Sequence, residues 1–177
     1  MIPKRKRIVI VLFIVFVLAL LIFVAGRYLV DGIKVRLLCK TDHQALLEAC
    51  NKLSKQVAKG NLKPGKYMVR IDPDPEVSKF PRPILDLRPT YVYIDENDSG
   101  RVLIEMLGGL LGHFGVLAYT EDYKKPYRTY SYGDKELIPK LWYYDDGYRD
   151  NPEYDKKVDA LMQKGKMKKQ DKQDSEE

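Results

Sequence analysis

Residues 8–25 form an unbroken apolar run of 18, almost wholly Ile, Val, Leu and Phe, with no charged, Pro or Gly residue among them. As a helix that run rises about 27 Å, close to the thickness of a bilayer's hydrocarbon core. With no water there, the backbone must be satisfied internally, as it is in a helix. A cleaved secretory signal has a shorter apolar core, of about 7–15 residues, and a small-x-small cleavage site. Phe23-Val24-Ala25-Gly26-Arg27 does not match such a site, and no Cys follows that stretch directly to accept a lipid. The pattern predicts an uncleaved anchor, a transmembrane helix over residues 8–26, followed by a juxtamembrane connector over residues 27–40.

A second stretch of 18, residues 102–119, is mostly apolar but holds Glu105, His113 and the glycines Gly108, Gly109, Gly112 and Gly115. A mid-span acid costs roughly 3 kcal/mol and each helical Gly about 1 kcal/mol relative to Ala, so this run reads as soluble-domain strands broken at the glycines. Between the two runs, Leu46, Cys50, Leu53 and Val57 recur at spacings of four, three and four, the period of one helix face. They predict an amphipathic helix over residues 42–59 that stops at Gly60. Thr41 with Gln44 three residues on fits a capping box at its start. Residues 61–65 read as a turn, 66–71 as a strand and 72–75 as an extended, Pro-punctuated stretch. Residues 84–87 read as one helical turn that Pro89 ends.

The second half reads as sheet. Residues 91–94 and 101–107 flank a polar turn, 95–100, as a hairpin would, and 114–119 and 141–144 are two further strands joined by a connection rich in Tyr and Lys. Residues 155–164 form a weak helix, and residues 165–177 are expected to be disordered because almost nothing there can be buried. The predicted fold class is α+β: an N-terminal transmembrane helix, then an amphipathic helix packed on a small, mainly antiparallel sheet. The domain spans residues 41–155, with a charged tail over residues 156–177.

The formal net charge of +6 suggests an acidic partner until it is located along the chain. Residues 1–40 hold eight Lys/Arg against one acid, whereas residues 41–155 hold sixteen against nineteen. The basic balance belongs to the membrane flank and the tail, so nucleic-acid binding by the domain is not expected. Cys39 and Cys50 are the two cysteines. The helix from Asp42 to Cys50 rises about 12 Å, whereas a disulfide needs Cα atoms within roughly 7 Å, so an intrachain bridge is not expected. Cys50 sits on the apolar stripe and reads as a small buried residue.

Several short pieces stand together in order: residues 42–50, Asp-His-Gln-Ala-Leu-Leu-Glu-Ala-Cys; residues 83–89, Pro-Ile-Leu-Asp-Leu-Arg-Pro; Gly108-Gly109 with His113-Phe114-Gly115; and Leu141-Trp142-Tyr143-Tyr144-Asp145. Over residues 41–146 the chain resembles a group of uncharacterised small single-pass membrane-anchored proteins from planctomycete-like bacteria. The resemblance implies architecture and brings no activity with it. Where it leads one to expect a Gly before the Leu141-Trp142 pair, this chain has Lys140.

His113 is the sharpest candidate for chemistry. It stands among glycines, where backbone can approach a ligand closely, and an imidazole serves as a general base near neutral pH. The bland reading is a histidine at a strand start, hydrogen-bonded to backbone. With His43 the only other imidazole and no Cys-x-x-Cys or His-Glu-x-x-His pattern, neither a metal site nor a cofactor is expected. Glu105 is a candidate acid/base partner inside an apolar run, while Asp145 and Asp146 precede Gly147 and look like turn residues. Asp95 to Gly100 loosely matches the opening of a calcium loop, but Met106 stands where its closing Glu belongs, so a hairpin turn is the better reading. Eight of the thirteen Tyr and the single Trp lie between Tyr119 and Tyr148. Of these, Tyr130, Tyr132, Trp142, Tyr143 and Tyr144 are the binding candidates, since aromatic rings with a polar tip suit contact surfaces.

Three functions remain open on this basis. The leading one is an envelope-facing module that binds an envelope protein or glycan through its aromatic strands. Its rivals are a hydrolase-like envelope enzyme using His113 with a carboxylate, and a structural tether. Orientation follows from Lys4, Arg5, Lys6 and Arg7, a compact basic flank over residues 1–7 that the positive-inside rule keeps in the cytoplasm. Arg27, Lys34, Arg36 and Lys40 oppose it from the other side but are dispersed. Protease added outside spheroplasts is therefore expected to digest the domain from its tail inward. Replacing Lys4, Arg5, Lys6 and Arg7 by neutral residues is expected to give mixed topology, read from the protected fraction.

Overall fold

The computed structural model describes residues 4–95, 100–107, 112–121, 135–145, 153 and 156–163. It divides the chain into two units, residues 1–36 and 37–177.

In the first unit, helix α1 (Lys4–Val35) runs for 32 residues. That is about 48 Å, longer than the roughly 30 Å of a hydrocarbon core. Leu12, Phe13, Phe16 and Ile22 are among the large apolar side chains it exposes. Among the described residues, one helix is long and apolar enough to cross a membrane, and it is this one. The stretch read as a connector is helical: α1 continues to Val35, and a π-helical turn spans Arg36–Lys40.

The second unit is α+β. Helix α2 (His43–Ala58) is capped by Asp42, whose carboxylate accepts from the backbone N–H of Gln44 at 3.0 Å and of Ala45 at 3.1 Å. Asp42, not Thr41, is the N-cap, which corrects the capping box by one residue. Gln44 accordingly donates forward to Glu48 and does not reach back to the cap. A carboxylate also suits the positive end of the helix dipole. Leu46, Cys50 and Leu53 of the predicted stripe are buried and Val57 is half-buried. Gly60, at φ 72°, ends the helix in the left-handed conformation that glycine adopts without cost.

Six strands follow: β1 (Gly65–Met68), β2 (Tyr91–Ile94), β3 (Arg101–Leu107), β4 (Phe114–Tyr119), β5 (Lys135–Ile138) and β6 (Leu141–Asp145). They make one antiparallel sheet in the order β1-β2-β3-β4-β6-β5. Strand β1 is shorter than the sequence suggests. Asp74 accepts from the Met68 N–H at 2.6 Å, and Asp72 at φ 49° turns the chain away. A 3-10 turn (Pro75–Lys79) and the short helix α3 (Arg82–Asp86) lead into β2. Strand β5 lies inside the connection read as irregular. In the turn after it Lys140 takes φ 73°, holding the conformation expected of the glycine it replaces.

Alternation gives the sheet two faces. The inner face carries Val92, Ile94, Val102, Ile104, Val116, Ala118, Leu141 and Tyr143, all fully buried. Helices α2 and α3 pack together, and α2 also meets β3 and β5. The end of β4 is pinned to α2 by Thr120 Oγ1 donating to Ser54 Oγ and by the Glu121 N–H donating to Asn51. Residues 156–163 are helical. This segment is held by buried Val158, by Lys135 with Asp159 at 2.6 Å and by the Cys39 thiol donating to the Leu161 carbonyl. The expectation of a disordered tail over residues 165–177 lies outside the described residues.

Both cysteines are free, and burial alone pushes the Cys50 thiol up to about 12. The unfolded chain therefore loses this proton first, at about pH 8.5. The thiol's contribution to stability is intact below that pH and is lost as pH rises towards 12. Urea unfolding between pH 8 and 11 is expected to show an alkaline loss of stability that Cys50→Ala reduces. Cys50 is also expected to resist thiol reagents at pH 8 until the chain unfolds.

Candidate functional site

The outer face of the sheet differs from the inner one along a single row of paired residues. Tyr91 on β2 faces Glu105 on β3, Glu105 faces Gly115 on β4, and Gly115 faces Tyr144 on β6. Directly paired residues point to the same side of a sheet, so these four positions share the outer face. The next row is Tyr93, Leu103, Leu117 and Trp142. Flanking strands thus carry aromatic rings, and the two central strands carry a carboxylate, a glycine and two leucines between them.

Two backbone features set the row. Between Glu105 and Leu107 the register of β3 against β4 shifts by one residue, a bulge at Met106. Bulges end a strict alternation and re-aim side chains. Both Glu105 and Met106 are buried as a result, and Thr90 braces the bulge by donating its N–H to the Glu105 carbonyl and its hydroxyl to that of Met106. The second feature is Gly115. A Cβ there would stand 2.0 Å from the Ile104 carbonyl oxygen and 2.9 Å from the Tyr144 hydroxyl, so only glycine fits.

Glu105 is 2% exposed, and each carboxylate oxygen has a donor. Oε1 lies 2.8 Å from His113 Nδ1, and Oε2 accepts from the Tyr144 hydroxyl, which crosses the space above Gly115. His113 follows Gly112, whose φ of 96° turns the chain, and immediately precedes β4. Half of its side chain is exposed. The same carboxylate reaches Tyr91: burial pushes the Tyr91 phenol up, and the Glu105 charge pushes it further. The Lys66 ammonium sits 4.0 Å above the Tyr91 ring, a cation–π contact on the same face.

Of the residues singled out in the sequence, His113, Glu105 and Tyr144 come together. Histidine 113 bonds to a carboxylate, not to backbone as the bland reading had it. Asp145 does not join them. It ends β6 on the inner face, is buried, and accepts from the Tyr143 hydroxyl at 2.7 Å, so it is no turn residue. Tyr143 points into the core and so leaves the set of surface binding candidates. Trp142 and Tyr144 are half-buried on the outer face. Asp95 pairs with Arg101 at 2.8 Å, as a hairpin closure would have it. Tyr130, Tyr132 and Asp146 lie outside the described residues. Sequence reasoning missed Tyr91, whose signal was the strand alternation that puts it level with Glu105. Among the described residues no group of three or more metal-ligating side chains forms.

The Gly115 geometry gives a direct test. Gly115→Ala is expected to destabilise the domain by roughly 2–4 kcal/mol, because the Ile104 carbonyl is backbone and cannot rotate away. Denaturant unfolding with Tyr144→Phe as a control separates this from loss of the hydroxyl, for which about 1–3 kcal/mol is expected. Compared with protein-family models, with curated proteins and with solved structures, the chain matches none.

Proposed function

We propose that the chain is a single-pass membrane protein whose domain faces the extracytoplasmic side and works as a binding module of the cell envelope. The anchor reading is supported by α1, long, apolar and exposed along its length. Orientation is supported by the basic cluster at Lys4, Arg5, Lys6 and Arg7.

The observation that carries the binding reading is Trp142. Its indole N–H is buried, and among the described residues it has no acceptor. An unpaired buried donor costs about 1–3 kcal/mol, a cost that persists in few native positions without a reason. A ligand that brings an oxygen to Trp142 Nε1 recovers it. Tyr93 on the same row, and Tyr91 and Tyr144 on the next, offer rings with little rotamer freedom to lose. An envelope protein or glycan suits such a surface. The row lies beside Glu105 and His113, so the ligand meets an acidic site at one end.

Because Trp142 is the only tryptophan, its fluorescence reports on this face without labelling. Titrating the full chain in detergent micelles with solubilised peptidoglycan fragments, then with envelope protein fractions, is expected to shift its emission saturably with one of them. Trp142→Phe removes the unpaired donor, so it is expected to keep or slightly raise stability, within about 1 kcal/mol, while weakening capture on the same ligand at least about tenfold. Unchanged emission across both series overturns the reading.

A further inference from the structure

The Glu105–His113 contact goes beyond a binding surface and does not depend on Trp142. A carboxylate only accepts, so the 2.8 Å contact from Glu105 Oε1 holds the proton of a neutral imidazole on Nδ1. That leaves the lone pair on Nε2. The carboxylate cannot swing, because its other oxygen is held by the Tyr144 hydroxyl and its strand is bent by the bulge at Met106. A histidine whose only task was to satisfy a buried acid would be buried with it. Glu105 is 2% exposed, whereas half of the His113 side chain meets solvent.

An oriented, solvent-reaching imidazole backed by a fixed carboxylate is the arrangement of a general base and its orienting group. We propose that His113 is the general base for hydrolysis of an acyl ester by water, with Glu105 and Tyr144 as positioning residues. Nε2 takes a proton from water as the water oxygen bonds to the acyl carbon. The tetrahedral intermediate then expels the alcohol oxygen as the C–O bond breaks, and the Nε2 proton passes to that oxygen. The products are a carboxylic acid and an alcohol, and the imidazole returns neutral. An ester is the substrate class, since a single base that returns its proton to the leaving oxygen completes the cycle.

The test uses the full chain in detergent micelles with 4-nitrophenyl acetate as probe. His113→Ala is expected to lower kcat/KM at least about tenfold, within the range general bases contribute. His43→Gln, which removes the other imidazole, is expected to leave the rate unchanged. Glu105→Gln and Tyr144→Phe are expected to lower kcat with KM held. Ring nitrogen chemical shifts should show Nδ1 protonated in the native chain and a tautomer mixture in Glu105→Gln, whose amide both donates and accepts. Tyr144→Phe keeps the test alive if Glu105→Gln fails to fold. A His113→Ala chain that melts as the native one does and hydrolyses the ester at the native rate overturns the proposal. So does a native tautomer with the proton on Nε2. Loss of ligand capture in Trp142→Phe with the ester rate intact would count against the surface alone.

Discussion

Glu105 stands on the outer face of the central strand pair and is nonetheless sealed from water. An ionised carboxylate in such a place costs several kcal/mol unless both oxygens are partnered. The neighbouring structure follows from that requirement. His113 must reach back from the start of β4, and Tyr144 must reach across β4 from β6. The second reach is possible only because the residue between them is glycine, with the Ile104 carbonyl directly behind it. The bulge at Met106 supplies the remaining freedom, letting consecutive residues of β3 both turn away from solvent. A site of three side chains thus rests on two backbone irregularities in adjacent strands.

The inner face is ordinary by comparison, and that difference is informative. It is filled by β-branched and aliphatic residues under α2 and α3, and its one acid, Asp145, is tied to Tyr143 two residues earlier. Such a face needs nothing more than apolar area removed from water. The outer face holds rings that are half-buried, an acid that is fully buried and an indole donor without an acceptor among the described residues. Polar burial of this kind costs stability that an apolar face would not. A face that tolerates it is the one where binding or catalysis is to be sought.

Much of the architecture was legible in the sequence, because each element carried its own period. The apolar run at residues 8–25 predicts α1, and the stripe Leu46, Cys50, Leu53, Val57 predicts α2. Alternation places β2, β3 and β4 at their observed bounds and β6 within one residue. The glycines of residues 102–119 correctly argued for strands and against a second span. Strand β5 escaped because Lys135 to Ile138 is too short to show alternation, and β6 beside it decides its pairing. The helix cap was misplaced by one because Thr41 and Asp42 are both good caps, and side-chain geometry chooses between them.

The site was half legible. His113 and Glu105 stood out locally, one by its glycine setting and the other as a lone acid in an apolar run. Which acid His113 meets was beyond the sequence, since Glu105 and Asp145 lie at similar positions in their strands and end on opposite faces. Tyr143 and Tyr144 are likewise neighbours of the same type, yet one fills the core and the other closes the carboxylate's second oxygen. A strand's period says that successive residues alternate, but the face each takes depends on register against its neighbours, and a one-residue bulge changes it. Only the assembled sheet, with Gly115 between β3 and β6, decided that.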